Sequence, residues 1–381
     1  MVREMKKIFY FILTLIGLSL VVKVIQYIMV LPYSLLELTG LIILLTFYLY
    51  VTQFMHVIIH ETGHFLFGRL SGYQLISFRV FSLMWLKKDH HISLKRYHLK
   101  GTAGQCLMAP PDIQDDSFPF VLYHLGGCLM NLIISFLLIL IIVIFSISNL
   151  FFIVFIIVGL WMSFINAIPI SMDGFINDGY YVAILKKYPE TLKAFWLPLK
   201  VYEMYGYNRR LKDMPEEWFC YSFDQHLEIC FVVEAMMLCY QRLMDQHQFK
   251  QAYAMIKYLN EQKLTQLQKN ILLCDAFYCE MIFGNDSKAI PLYQSLSIDF
   301  QKSIQSYLVG LRTLSIYERW VEHHEKEALT IDQKLEAHQS SYPYSVEIEM
   351  QQALIQNINS LRTIDFVDLY YCKNKKQEYN N

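Results

Sequence analysis

His60, Glu61 and His64 carry the side chains that a hydrolytic metal site requires. In His60-Glu61-Thr62-Gly63-His64 the histidines stand four apart, and residues four apart share one face of a helix, so both imidazoles can grip one ion. Glu61, beside the first ligand, would lean over the ion's open position as general base. The expected cofactor is one Zn2+, which brings the pKa of its bound water to ~7 and polarises a peptide carbonyl. A third protein ligand has to come from elsewhere in the chain. Matches this short arise by chance in soluble proteins, but this one closes an apolar run, Val51 to Gly72. There each charged group costs roughly 2.5–3.5 kcal/mol on insertion scales, so such groups rarely persist without a function.

Composition indicates what must position these residues. Of 381 residues, 55% are hydrophobic and only 18% charged, with a mean hydropathy of +0.28. Charge is unevenly spread, since no Asp, Glu, Lys or Arg falls between Asp116 and Asp173, whereas the second half is ordinary soluble sequence. The chain reads as a membrane half joined to a soluble half. A net charge of -1 favours no nucleic-acid partner. The eight cysteines form no C-x-x-C pair and fit reduced thiols in a cytosolic setting.

The expected architecture is mainly α, a polytopic membrane protein with about four transmembrane helices, a small membrane-associated β segment and a C-terminal all-helical soluble domain. Residues 1–38 hold a first span, Ile8 to Leu31, and its link Pro32 to Leu38. This run is too long for a signal peptide and no small-residue cleavage site follows it. Residues 39–185 form the core that carries the metal. Within it Thr39 to Ile59 runs into the motif, Tyr73 to Phe81 and His91 to Leu99 read as strands, and Phe120 to Phe145 and Leu150 to Ile170 form a helical hairpin. Residues 186–215 are a connector. Residues 216–381 form a helical domain in which Gln241 to Leu259 and Tyr278 to Leu296 look alike, with Ala252 and Ala289 in matching positions. That spacing is near the ~34-residue period of tetratricopeptide units. Lys and Arg cluster at the amino terminus, in the 71–116 loop and from Lys186, which places both termini in the cytoplasm. The metal then lies on the order of 14 Å below the cytoplasmic face.

Other polar residues in the spans need a reason. Gly126-Gly127 and Asn131 sit in one span, and Asn166-Ala167-Ile168-Pro169 ends the next. They serve either as helix-packing contacts or, for Asn131 and Asn166, as amides that hold a substrate strand extended. Pro169 would break its helix and carry an acidic ligand inward. Two candidates follow, Asp173 and Asp178. Asp178 is preferred because Asn177 can cap a helix beginning there, and a ligand is held best on a rigid element.

Together these features resemble the site-2 protease family of intramembrane zinc metalloproteases. The resemblance is carried by the His60 to His64 motif in one span, the small-residue turn before Asn131, Asn166-x-x-Pro169 and a following Asp-Gly. It covers about Thr39 to Leu185. Cys128 stands where the family usually has proline, and Asp173 and Asp178 fall on either side of the family's usual spacing. The resemblance implies cleavage of membrane-embedded peptides or single-span proteins, with the bilayer as surroundings; separately, the helical domain is expected to bind a substrate tail or a protein partner. The cell membrane of a bacterium is the expected location. The reading set against this one is a catalytically inactive membrane binding or immunity protein that acts through its helical repeats. A third is a metalloprotease with a downstream Glu as ligand.

Overall fold

The structure, a computed structural model, describes residues 34–88, 91–97, 102–115, 117–172, 175–220, 226–339 and 342–378. The span expected over Ile8 to Leu31 lies outside them. Ser34 opens the first described helix, α1 (Leu35–Leu70), in a reciprocal capping box: its hydroxyl accepts from the Glu37 amide while the Glu37 carboxylate accepts from the Ser34 amide. This corrects the expectation of a link as far as Leu38, because Ser34 and Glu37 start the helix at once. At 36 residues α1 is about 54 Å long, well beyond a hydrocarbon layer of ~30 Å.

The helices α2 (Val121–Phe145) and α3 (Leu150–Ala167) complete a group of three that are long and apolar enough to cross a membrane. They pack against α1 and against each other. Their turn is made by Ser146, at φ +51°, and by Asn149, whose side chain accepts from the Phe151 amide. Glycines set the closest crossing, where a Cβ on Gly126 would lie 2.7 Å from the carbonyl oxygen of Gly63. α3 stops at Ala167, two residues before Pro169, because proline excludes helical backbone ahead of it.

Between α1 and α2 the chain forms β1 (Gln74–Val80), β2 (Leu83–Lys88), β3 (His91–Arg96) and β4 (Gly104–Ala109). They make one antiparallel sheet in the order β3-β2-β1-β4. In the register Phe78 stands between Trp85 and Cys106. β4 packs on α1 at one side and on α5 (Leu192–Gly206) at the other. A short ribbon, β5 (Ser171–Met172) and β6 (Phe175–Ile176), leads into α4 (Asp178–Lys187). The stretch 186–215, read from sequence as a connector, holds α5, whose Ala194, Phe195, Trp196 and Leu197 are buried.

The two look-alike segments fall on consecutive helix pairs, α6 (Cys230–Asp245) with α7 (Phe249–Asn260), and α8 (Gln266–Ile282) with α9 (Asp286–Gln294). After α10 (Ile298–Ser303) a third pair follows, α11 (Leu308–Trp320) with α12 (Glu325–Ala337), and then α13 (Ser345–Glu378). Ala252, Ala289 and Ala328 each stand fourth in the second helix of a pair, and each is wholly buried. A methyl group there lets the second helix lie close on the first. Three pairs also supply the number of stacked units that such arrays need for stability. One apolar core runs from Tyr73 and Leu86 at the sheet, through Phe195 and Phe231, to Ile358 in α13. Within the helical region Asp275 and Arg312 form a buried ion pair at 2.7 Å, and Tyr240 donates to the second carboxylate oxygen at 2.9 Å.

Candidate metal centre

His60 and His64 project from α1 toward α2 and α4. The Nε2 atoms of the two rings lie 3.1 Å apart. Asp178, first residue of α4, brings one carboxylate oxygen to 3.1 Å from His60 Nε2 and the other to 3.5 Å from His64 Nε2. One ligand atom from each of the three lies within 4.8 Å of the others, so the group can hold a metal ion. Asp173 falls outside the described residues.

Asn177 builds the acidic side of this group. Its side-chain oxygen accepts from the amides of Tyr180 and Ile170, and its nitrogen donates to the carbonyls of Ile165 and Ile168. One side chain thus caps α4 and ties it to the end of α3, which fixes the carboxylate beside it. The close approach of Gly179 to Ala167 completes that junction.

The histidines are oriented by second partners. His64 Nδ1 donates to the Tyr123 carbonyl at 2.8 Å, which leaves the Nε2 lone pair facing the carboxylate. The Asn131 side-chain amide bridges His56 Nδ1 at 3.1 Å and His60 Nδ1 at 3.4 Å. His56 Nε2 in turn contacts the Phe155 carbonyl at 2.9 Å, where it can only donate. Drawn with the amide oxygen toward His56, that ring would need a proton on both nitrogens. Turned end for end, the amide donates to neutral His56 and accepts from His60 Nδ1, and every group is satisfied. His60 and His64 then both present unprotonated Nε2 atoms to the carboxylate. Three acceptors converging on one point repel one another unless a cation completes them, and this donor set of two imidazoles and a carboxylate fits zinc chemistry.

Glu61 sits on the sheet side of the group. Its carboxylate accepts a hydrogen bond from the Cys106 amide of β4, and a Cβ on Gly104 would overlap it. That glycine is held by Arg79, a wholly buried guanidinium on β1 that donates to the carbonyls of Phe81, Thr102 and Gly104 and to the Thr102 hydroxyl. A cavity of ≈ 420 Å³ opens over the group and is lined by His60, Glu61, His64, Asp178 and Asn166, among others.

Of the residues singled out from sequence, His60, Glu61, His64 and Asp178 come together. Asn131 lies within hydrogen-bonding distance of His60, with its amide occupied by two imidazoles. Asn166 lines the cavity and donates to the Met162 carbonyl of its own helix at 2.9 Å. Sequence reasoning missed His56 and Arg79. His56 had a signal, since it stands four residues before His60 on the same helix face. Arg79 had none, because its role depends on which loop the sheet folds beside it. Comparison of the chain with protein-family models, with curated proteins and with solved structures found no match.

Proposed function

We propose that this protein is an intramembrane zinc metallopeptidase of the site-2 protease type, cutting membrane-embedded polypeptides from a site open to the cytoplasm. The observation that carries the reading is the convergence of His60 and His64, on a helix apolar enough to lie in a membrane, with Asp178 from α4, and with Glu61 alongside. A structural metal site has no use for that additional carboxylate. Zinc bound there would activate a water and polarise the scissile carbonyl. Glu61 would serve as general base, holding a proton of the attacking water and delivering it to the departing amine. The Cys106 amide and the Arg79-anchored Gly104 keep the Glu61 side chain in one position for both transfers. Tyr123 and Asn131 keep the imidazole nitrogens turned inward.

A membrane helix already satisfies its own peptide groups, so a substrate has to unwind locally before its carbonyl is accessible; short or proline-interrupted spans are preferred. Expected orientation follows the basic loops, with the helix pairs in the cytoplasm. The test is purified full-length protein, assayed for bound metal and for cleavage of a membrane peptide. Zinc at one ion per chain with cleavage supports the reading, and a metal-loaded parent protein that cuts none of a panel of single-span substrates rejects it.

A further inference from the structure

A second cavity, ≈ 300 Å³, lies between the sheet and the helical region, walled by β1, β4, α4, α5, α6 and the start of α13. Two carboxylates face it, Glu234 from α6 and Glu347 from α13, and no Lys, Arg or His is among its lining residues. Glu234 is exposed where the cavity opens outward, and Glu347 is half-buried. Two cations on neighbouring strands are engaged elsewhere. Lys95 donates to the Tyr342 carbonyl, and Arg79 is held by Phe81, Thr102 and Gly104.

The remaining wall suits an organic cation. Tyr97, Tyr181, Tyr202, Tyr342 and Tyr344 contribute to it, with Tyr202 and Tyr344 stacked at 5.7 Å. Aromatic faces attract ammonium and guanidinium groups, most strongly where water is excluded. Ser77 Oγ and Tyr344 OH, on the same wall, are buried and have no hydrogen-bond partner. Glu347 accepts from the Tyr342 hydroxyl, and the unsatisfied hydroxyls of Ser77 and Tyr344 mark a place where a polar partner is missing. Gln105, Leu107, Tyr181, Phe195 and Leu199 line this cavity and the metal cavity alike, so one extended polypeptide can occupy both.

We propose that this cavity binds the alkylammonium or guanidinium group of a basic residue in the polypeptide substrate, with Glu234 and Glu347 as counter-charge and the tyrosines as its walls. The identity of the occupant as substrate rests on the peptidase reading. Basic residues flank the cytoplasmic ends of membrane spans, which is where a span engaged at the metal would present them. Burial pushes the Glu347 carboxyl up to about 7; an entering cation draws it back down and is met by full negative charge.

The test uses the full-length Glu61→Gln protein in detergent, so that cleavage does not consume the probe. A single-span peptide flanked by lysine is compared with the same peptide carrying norleucine, by fluorescence anisotropy. The lysine peptide should bind about tenfold tighter, as a charge-assisted hydrogen bond with cation–π contact provides. In the Glu234→Gln, Glu347→Gln background that ratio should fall to about one. Equal binding of the two peptides to the Glu61→Gln protein, a comparison that needs no change to the cavity, overturns the proposal. If Nα-acetyl-lysine amide binds and the peptides are indistinguishable, the cavity serves a free amine and the substrate assignment is overturned. Lysine discrimination in a chain whose parent cuts nothing would sink the peptidase reading alone. Cleavage without discrimination would sink only this one.

Discussion

Leu140 in α2 and Leu329 in α12 are 55% and 49% exposed, yet they report opposite rules of folding. α2 buries Tyr123, His124, Gly126, Gly127, Cys128, Asn131 and Ser135, while Phe136, Leu137, Leu140 and Ile141 face outward. α6, in the helical region, buries Phe231, Val232, Val233 and Met236 in the ordinary way. In a helix that spans a membrane, small and polar residues meet because hydrocarbon already satisfies the apolar ones, and α2 is long and apolar enough to be one. In α6, water drives apolar side chains together. Buried polarity therefore means different things in the two regions. Around α2 it gathers His56, His60, His64 and Asn131 at the candidate metal centre, whereas around α8 it is neutralised in the Asp275–Arg312 pair.

The sharpest break of this comparison is at Glu61. Glu61→Gln should keep its metal and lose a factor of ~100 to 10,000 in turnover, the usual worth of a general base. Metal content and cleavage rate, measured on the same preparation, check it. Unchanged turnover would return this region to a purely packing role. Asp275→Ala should instead leave the metal in place and destabilise the helical region by ~3–5 kcal/mol, since Arg312 is left buried without its partner. Thermal unfolding of the full chain, with cleavage followed in parallel below the transition, separates the two effects.

The two leucines give a direct exchange. Leu140→Arg should cost ~3 kcal/mol in membrane insertion, whereas Leu329→Arg should change stability by no more than ~0.5 kcal/mol. Membrane-integrated yield and melting temperature of both variants decide it; equal costs would mean that α2 does not face lipid. The smallest effect concerns pH. Glu347 has its folded-state pKa raised by burial from 4.5 to about 7, so the native state binds more protons between those values and stability falls as pH rises through that window. Glu347→Gln should flatten that fall and leave stability near pH 4 unchanged, as followed by melting temperature across pH 4 to pH 8.

Much of the site was legible because its signals are local. His60, Glu61 and His64 lie within two turns of one helix, and Asn177 with Asp178 is a cap followed by its first helical residue. The limits of α3 were near-legible for the same reason, since Pro169 acts on its own neighbours. The third helix pair was not. Leu308 to Ala337 repeats the earlier pairs only in where Ala328 is buried, and burial is a property of the stack.

Sequence by itself determined which residues could do chemistry and which stretches suit lipid, because each of these depends on side chains a few positions apart. Tertiary structure alone decided that Cys106 and Gly104 meet Glu61, that Asn131 serves two imidazoles, and that Glu234 and Glu347 share one cavity across more than a hundred residues of chain. Those contacts depend on the order of strands in the sheet and on the stacking of helix pairs, which bring together atoms that no local spacing relates.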